Sequence, residues 1–304
     1  MHSHRQRNTG RVLGWSVAVT VAFVALEAAA GVRAHSLALL SDAGHNFTDA
    51  LALLLAAFGF YLESRPADEE KTYGYHRAGV LAAFINALTL LLLALFIFHE
   101  SYRRLVAPPV VDELTMLLVA ALGLLVNVAI MWGLRPGKNR DLNIRAAYAH
   151  MLGDALGSIG IILGAIAIRY TGWQRIDPAL SVLIGLLIVW TAWDIVKESL
   201  NILLEGLPRG MRLNQVVAAI RGVEGVLEVH DLHVWSLGSS VHALSCHVLI
   251  DDLAASQSDS ILKGINGELA ARFRIHHTTI QFEHARCAAP GNGCPLPSLG
   301  DEVH

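Results

Sequence analysis

Apolar residues run through the first two thirds of this chain in long blocks separated by short polar turns. Six blocks are long enough to cross roughly 30 Å of hydrocarbon at about 1.5 Å per helical residue. They are Val12–Val32, Ser36–Leu62, Ala78–Glu100, Leu114–Leu134, Asn143–Ile168 and Ile176–Leu200. After Leu207-Pro208 the pattern shortens to that of a soluble domain. Leu213–Ile220 and Ser256–Phe273 carry a helical period, while Val226–Leu237, Val241–Ile250 and Thr278–His284 read as strands. The order helix-strand-strand-helix-strand predicts a compact α+β sheet with its helices on one face. Beyond Ala288 the chain is dominated by Pro, Gly and Ser and predicts disorder. The pattern thus divides the chain into a leader at 1–11, a six-helix membrane domain at 12–206, a cytoplasmic domain at 207–287 and a tail at 288–304. The first block is too long for a cleavable signal peptide and contains Glu27, which reads either as a functional carboxylate or as a helix-packing residue.

The polar residues that interrupt these blocks matter more than the blocks themselves. In the second block, Asp42, His45, Asn46 and Asp49 fall on one narrow stripe of a helix turning about 100° per residue. Ionisable groups at membrane depth cost at least about 2.5 kcal/mol each, so the stripe must face a protein or water-filled interior. His150 and Asp154 repeat the His/Asp spacing in the fifth block. On that block's wheel the small residues Ala146, Ala147, Gly153 and Gly157 flank Asn143, His150 and Asp154, which predicts a closely packed inward face. Two such helices facing each other would gather two His and two Asp, a set suited to four-coordinate zinc or a similar divalent cation. Asn86 and Asn127 stand alone in their blocks and read as interhelical hydrogen-bonding residues. Asp177-Pro178 opens the sixth block, where proline is tolerated.

Composition agrees with the pattern: the 304 residues are 54% hydrophobic and 16% charged, with a mean hydropathy of +0.47. This is a membrane protein. A net charge of −3 and the lack of any basic run exclude a nucleic-acid binder. The three cysteines, Cys246, Cys287 and Cys294, all lie near the C-terminus and are odd in number, which fits a reducing compartment better than a disulfide framework. Near the span ends, ten Lys/Arg fall on the N-terminal side of the membrane and five on the other, with Arg103 and Arg104 against the trend. With an even number of spans, both termini are expected in the cytoplasm. Short loops and the lack of targeting signals favour a bacterial inner membrane.

Three function classes fit a membrane protein with His/Asp pairs. An intramembrane zinc hydrolase would need an HExxH-type pair, which the sequence lacks, so enzymatic function is not expected. A membrane-anchored metal sensor, with the C-terminal domain as its output, would not need ionisable groups on two facing spans. Transport of a divalent cation through His45, Asp49, His150 and Asp154 explains them.

Five segments together resemble the cation diffusion facilitator family, in its zinc/cadmium/cobalt efflux branch, over about Arg11 to Glu283. They are Ser41-Asp42-Ala43-Gly44-His45-Asn46 with Asp49, Tyr73-Gly74-Tyr75-His76-Arg77, Arg145 through Ser158, Asp177-Pro178, and His230-Asp231-Leu232-His233-Val234-Trp235. The resemblance implies six transmembrane helices with a ferredoxin-like cytoplasmic domain, a homodimer, and exchange of Zn2+, or Cd2+, Co2+ or Ni2+, for protons. It also implies a cytoplasmic metal site at His230, His247 and Glu283, to which Cys287 and Cys294 are near enough in sequence to add thiolates. His242, His276 and His277 read as ordinary strand residues, the leader histidines His2 and His4 as solvated groups, and Cys246 as a small core residue. The chain departs from the family pattern in three places. After the second span it offers Asp68 but then Lys71 and Tyr75 where some members bind a further metal. Pro136 to Leu142 contains no histidine, and Gly79 stands where the resemblance leads one to expect Glu.

Overall fold

The computed structural model describes residues 20–135, 142–238 and 241–285. The leader with His2 and His4, most of the turn before the fifth span, and the tail with Cys287 and Cys294 lie outside the described residues. So does the first part of the first span, whose helix α1 is described over 20–33. Five further long helices follow: α2 (Leu37–Glu63), α3 (Arg77–Val106), α4 (Glu113–Leu134), α5 (Leu142–Thr171) and α6 (Ile176–Leu203). All five are long and apolar enough to cross a membrane. Their outward faces carry Leu54, Phe60, Leu92, Leu125, Leu163 and Trp190, each well exposed. Apolar patches of this extent on helices whose own backbones are satisfied belong against lipid. The protein is an integral membrane protein.

Helix ends are set by identifiable groups. Asp112 caps α4, its carboxylate accepting from the Thr115 amide at 3.2 Å and the Thr115 hydroxyl at 2.6 Å. The start of α2 is capped from another helix. Asp177 of α6, fully buried, accepts from the Ser36 hydroxyl at 2.6 Å, the Leu37 amide at 2.7 Å and the Ala38 amide at 3.1 Å. The Arg104 guanidinium lies 4.0 Å from the same carboxylate and donates to the His35 carbonyl at 2.6 Å. The free amides of a helix N-terminus favour an anion, so the Asp of the Asp-Pro pair fixes where α2 begins.

Contacts divide the chain into two compact units, Met1–Leu55 with Ile85–Ile195 and Ala56–Phe84 with Val196–His304. In the first, Ala38, Leu39, Met116, Ala120, Ile161, Ala165 and Ile168 form one buried cluster that joins α2, α4 and α5. A second cluster of Leu90, Ala94, Ile97, Ile188 and Ala192 joins α3 to α6. In the second unit, α7 (Leu213–Arg221), β1 (Val226–Ser236), β2 (His242–Ile250), α8 (Ala255–Phe273) and β3 (Ile275–Glu283) follow in order. The sheet order is β1-β2-β3, with β1/β2 antiparallel and β2/β3 parallel. The third strand begins three residues earlier than the sequence pattern predicts, because its first residue, Ile275, joins the core while His276 and His277 face outward. Leu244, Cys246, Val248 and Ile250 alternate along β2 onto the helix-covered face and meet Val216, Ile220, Ile261, Ile265 and Leu269. Cys246 is a core residue, as its alternation predicts.

The second unit also contains the α2–α3 connection, in which Gly79 lies against Gly59. A Cβ on Gly59 would stand 2.8 Å from the Gly79 Cα, so the two helices touch backbone to backbone. A Cβ on Gly79 would meet Glu63 Oε1 at 2.5 Å, so the Glu63 carboxylate fills the space a side chain at 79 would take. In the turn itself, Asp68 accepts from the Tyr75 hydroxyl at 2.8 Å and from the Lys71 and Glu70 amides at 2.7 and 3.0 Å. The Tyr75 bond, followed by the Lys71 amide, holds the Asp68 carboxyl below its ordinary range. Its oxygens are occupied as turn-forming acceptors.

Candidate metal centres

Among the described residues, two clusters of His and carboxylate groups emerge, one in each unit. In the first unit the four residues singled out by the paired spacing converge. His45 and Asp49 lie one turn apart on α2, with Nε2 to Oδ2 at 3.6 Å, and His150 and Asp154 repeat that geometry on α5 at 3.6 Å. The link between helices is His150 Nε2 to Asp49 Oδ2 at 3.4 Å, and the two imidazole centroids stand 6.4 Å apart, edge to face. Asp154 is buried, whereas His150 remains partly open. His45 Nδ1 and Asp49 Oδ2 are buried without a hydrogen-bond partner, so polar atoms here are desolvated yet unsatisfied.

Glu27 and Asp42 form a second carboxyl layer beside this set. Both are buried, at 1% and 6% exposure, and Glu27 lies close enough to Asp42 and Asn46 to interact with them, although its Oε2 has no hydrogen-bond partner. The stripe of Asp42, His45, Asn46 and Asp49 therefore points inward along its whole length. For Glu27 the sequence left two roles open, and its place against Asp42 could not be read from α1 alone. Gly157 lies against this layer, a Cβ there standing at an ordinary contact distance, 3.7 Å, from Asp42 Oδ1. Gly153 does not act this way: nothing lies within 4 Å of its would-be Cβ, so it faces open space rather than the packed interface its wheel position predicts. The side chains of Asn143, Ala146 and Ala147 lie outside the described residues.

In the second unit, strand register builds the other cluster. His230 of β1 is paired with His247 of β2, and Glu283 of β3 pairs with the neighbouring Leu249. All three side chains stand on the sheet face opposite α7 and α8, because they alternate with the core positions. His230 Nε2 lies 3.1 Å from Glu283 Oε2, His247 Nδ1 lies 2.8 Å from Glu283 Oε1, and the two ring centroids are 5.4 Å apart. His230 Nε2, His247 Nδ1 and Glu283 Oε2 are nevertheless buried without a hydrogen bond. One ligand atom from each falls within 4.8 Å of the others. Three convergent, unsatisfied N and O donors at this spacing fit a divalent transition metal. His242, His276 and His277 take no part: His242 meets the Ser236 hydroxyl at 3.2 Å, and the His277 ring meets Tyr73 edge to face.

With both clusters described, comparison with known proteins is decisive. The model of the cation efflux transmembrane domain matches residues 14–204, and that of the cation efflux protein cytoplasmic domain matches residues 208–285. The chain belongs to the cation efflux family. It is 43% identical over 286 residues to the metal cation efflux system protein CzcD of Cupriavidus metallidurans, covering 94% of this chain and 90% of that protein. It is 40% identical over 285 residues to a cadmium, cobalt and zinc/H(+)-K(+) antiporter of Bacillus subtilis, covering 93% and 91%. To the zinc transporter ZitB of Shigella flexneri it is 38% identical over 296 residues, covering 95% and 94%. Among solved structures, the metal-bound C-terminal domain of the CzcD transporter from Cuprividus metallidurans is 37% identical, covering 24% of this chain and 99% of that one, with a TM-score of 0.22. As a cation efflux protein, the chain is a transporter of divalent metal ions.

Proposed function

We propose that this transporter exports zinc, and with it cadmium, cobalt or nickel, in exchange for protons through a site made of His45, Asp49, His150 and Asp154. The observation that carries this reading is the meeting of α2 and α5 at Asp49, where an imidazole from each helix flanks one carboxylate. Relatives named as zinc and as cadmium, cobalt and zinc antiporters support the choice of cargo. Only a neutral imidazole can ligate the cation, and imidazoles change charge between about pH 5 and 8. Cation binding therefore releases protons and protonation releases the cation, the linkage an exchanger needs. An inward proton gradient then drives efflux, with both termini in the cytoplasm of a bacterial cell.

His230, His247 and Glu283 are proposed as a resident cytoplasmic metal site on a domain that pairs with a second copy of the chain, Cys287 and Cys294 being candidates to add thiolates. A bound zinc would supply a positive charge that ties three strands together, while the two imidazoles and the carboxylate supply one donor each. The reading is tested in proteoliposomes. Zinc should accumulate when the lumen is the more acidic side, stop on addition of a protonophore, and fail with Asp154→Ala. Accumulation indifferent to the pH difference would remove proton exchange, and none at all would favour a membrane-anchored sensor.

A further inference from the structure

We propose that Asp231 is a positioning residue for the cytoplasmic site: it takes the proton of His247 Nε2 as a hydrogen bond and so leaves Nδ1 free to bind metal. The proposal rests on reading His230, His247 and Glu283 as ligands, and it adds a residue that this reading does not use.

A neutral imidazole carries one N–H and one lone pair. His247 turns Nδ1 toward Glu283 at 2.8 Å and Nε2 toward Asp231 Oδ2 at 3.7 Å, so a carboxylate stands at each edge of the ring. Alone, Glu283 would draw the ring proton to Nδ1, the very atom that faces the ligand set. A second carboxylate at Nε2 competes for that proton and favours the tautomer whose lone pair is on Nδ1. The 3.7 Å separation is wider than a formed hydrogen bond, and a small turn of the imidazole closes it.

The backbone is arranged to put Asp231 there. On a regular strand His230 and Asp231 would point to opposite faces. Here the β1/β2 register breaks between His230 and His233, and Asp231 takes φ +50°, the left-handed region that Asp and Asn tolerate better than most residues. The result is that consecutive residues flank the same imidazole, the His230 ring 5.4 Å away and the Asp231 carboxylate on the Nε2 side. The other Asp231 oxygen is held by His233 Nε2 at 3.2 Å, which fixes the carboxylate's direction.

The test compares Asp231→Asn and Asp231→Gly with the parent and with His247→Ala, as full-length protein in detergent. Both Asp231 variants fit a left-handed backbone, so the metal-free melting temperature should hold. Zinc affinity by chelator competition, at the site that His247→Ala identifies, should fall about 10–100-fold in both, with the number of zinc ions at saturation unchanged. In 15N-histidine spectra of the zinc-loaded parent, the His247 signal, assigned by its loss in His247→Ala, should show the proton on Nε2. Unchanged affinity in both variants, a proton on Nδ1, or the loss of one zinc ion per chain would overturn the proposal, the last because Asp231 would then be a ligand. If His247→Ala binds zinc as the parent does, the ligand reading itself fails, and the role of Asp231 with it. Loss in His247→Ala with none in the Asp231 variants removes only the latter.

Discussion

At the scale of single residues, ligand chemistry sets what each substitution should do. Imidazole favours zinc and its neighbours, whereas carboxylate oxygen suits harder cations such as manganese. His150→Asp is therefore expected to lower zinc flux and raise manganese flux relative to it, measured in the same vesicles at two pH values. Retention of zinc transport with its pH dependence intact would exclude His150 as the coupled ligand. Cys246 gives a prediction of a different kind. Burial at 2% exposure pushes its thiol up to about 12. The folded state thus holds this proton more tightly than the unfolded chain, whose thiol ionises near 8.5. Any stability linked to it is intact below that pH and is lost as pH rises toward 12. In a chain with Cys287 and Cys294 replaced by Ser, maleimide at pH 8 should label Cys246 only after denaturation. Rapid labelling of the native protein would show that the sheet face opens to solvent.

At the scale of elements, α2 depends on groups outside itself for both its start and its packing. Asp177 satisfies two amides and a hydroxyl at its N-terminus, and removing it leaves buried donors unpaired. Asp177→Ala should cost about 2 kcal/mol. In detergent this corresponds to a melting temperature lower by several degrees, and transport should fall with it, since the cap fixes the depth of His45 and Asp49. A melting temperature equal to the parent's would show that water satisfies the helix end. At the other end of α2, Gly59→Leu should force the helix away from Gly79, where the backbones touch, and lower thermal stability far more than the same change at Gly153, which faces open space. Equal effects at the two glycines would contradict the close approach. The spans were legible from apolar block length, and Asp177-Pro178 was legible as the opening of α6. The partner of the cap was not, because Ser36 and Asp177 are 141 residues apart in sequence and meet only when α2 and α6 pack.

At the scale of the whole molecule, the Lys/Arg asymmetry sets a testable orientation. A cysteine placed in the Pro108-Pro109 turn should react with an impermeant thiol reagent added outside intact cells, while Cys287 and Cys294 should react only after permeabilisation. The opposite labelling would invert the proposed direction of the exchanger. Zinc should also raise the melting temperature of the full-length protein by mass action at the cytoplasmic site, and this rise should shrink in His247→Ala. An unchanged rise would assign the stabilisation to the membrane site alone.

The sequence by itself determined that the chain spans a membrane, where its helices lie, and that one stripe of α2 and one of α5 face inward, because burial in lipid forbids unpaired ionisable groups and helical period assigns faces. It also carried the alternation that buries Cys246. Tertiary structure alone decided what those faces meet. Glu27 lies buried beside Asp42, Glu63 fills the space beside Gly79, and Asp177 caps α2, each through contacts that no local pattern encodes. In the soluble domain the same limit holds more sharply. Strand period places His230 and His247 on a face, but only the pairing register sets them beside Glu283, and only the break after His230 turns Asp231 toward the same ring. Register depends on which strands pair, and that is fixed by the core they share rather than by any strand's own sequence.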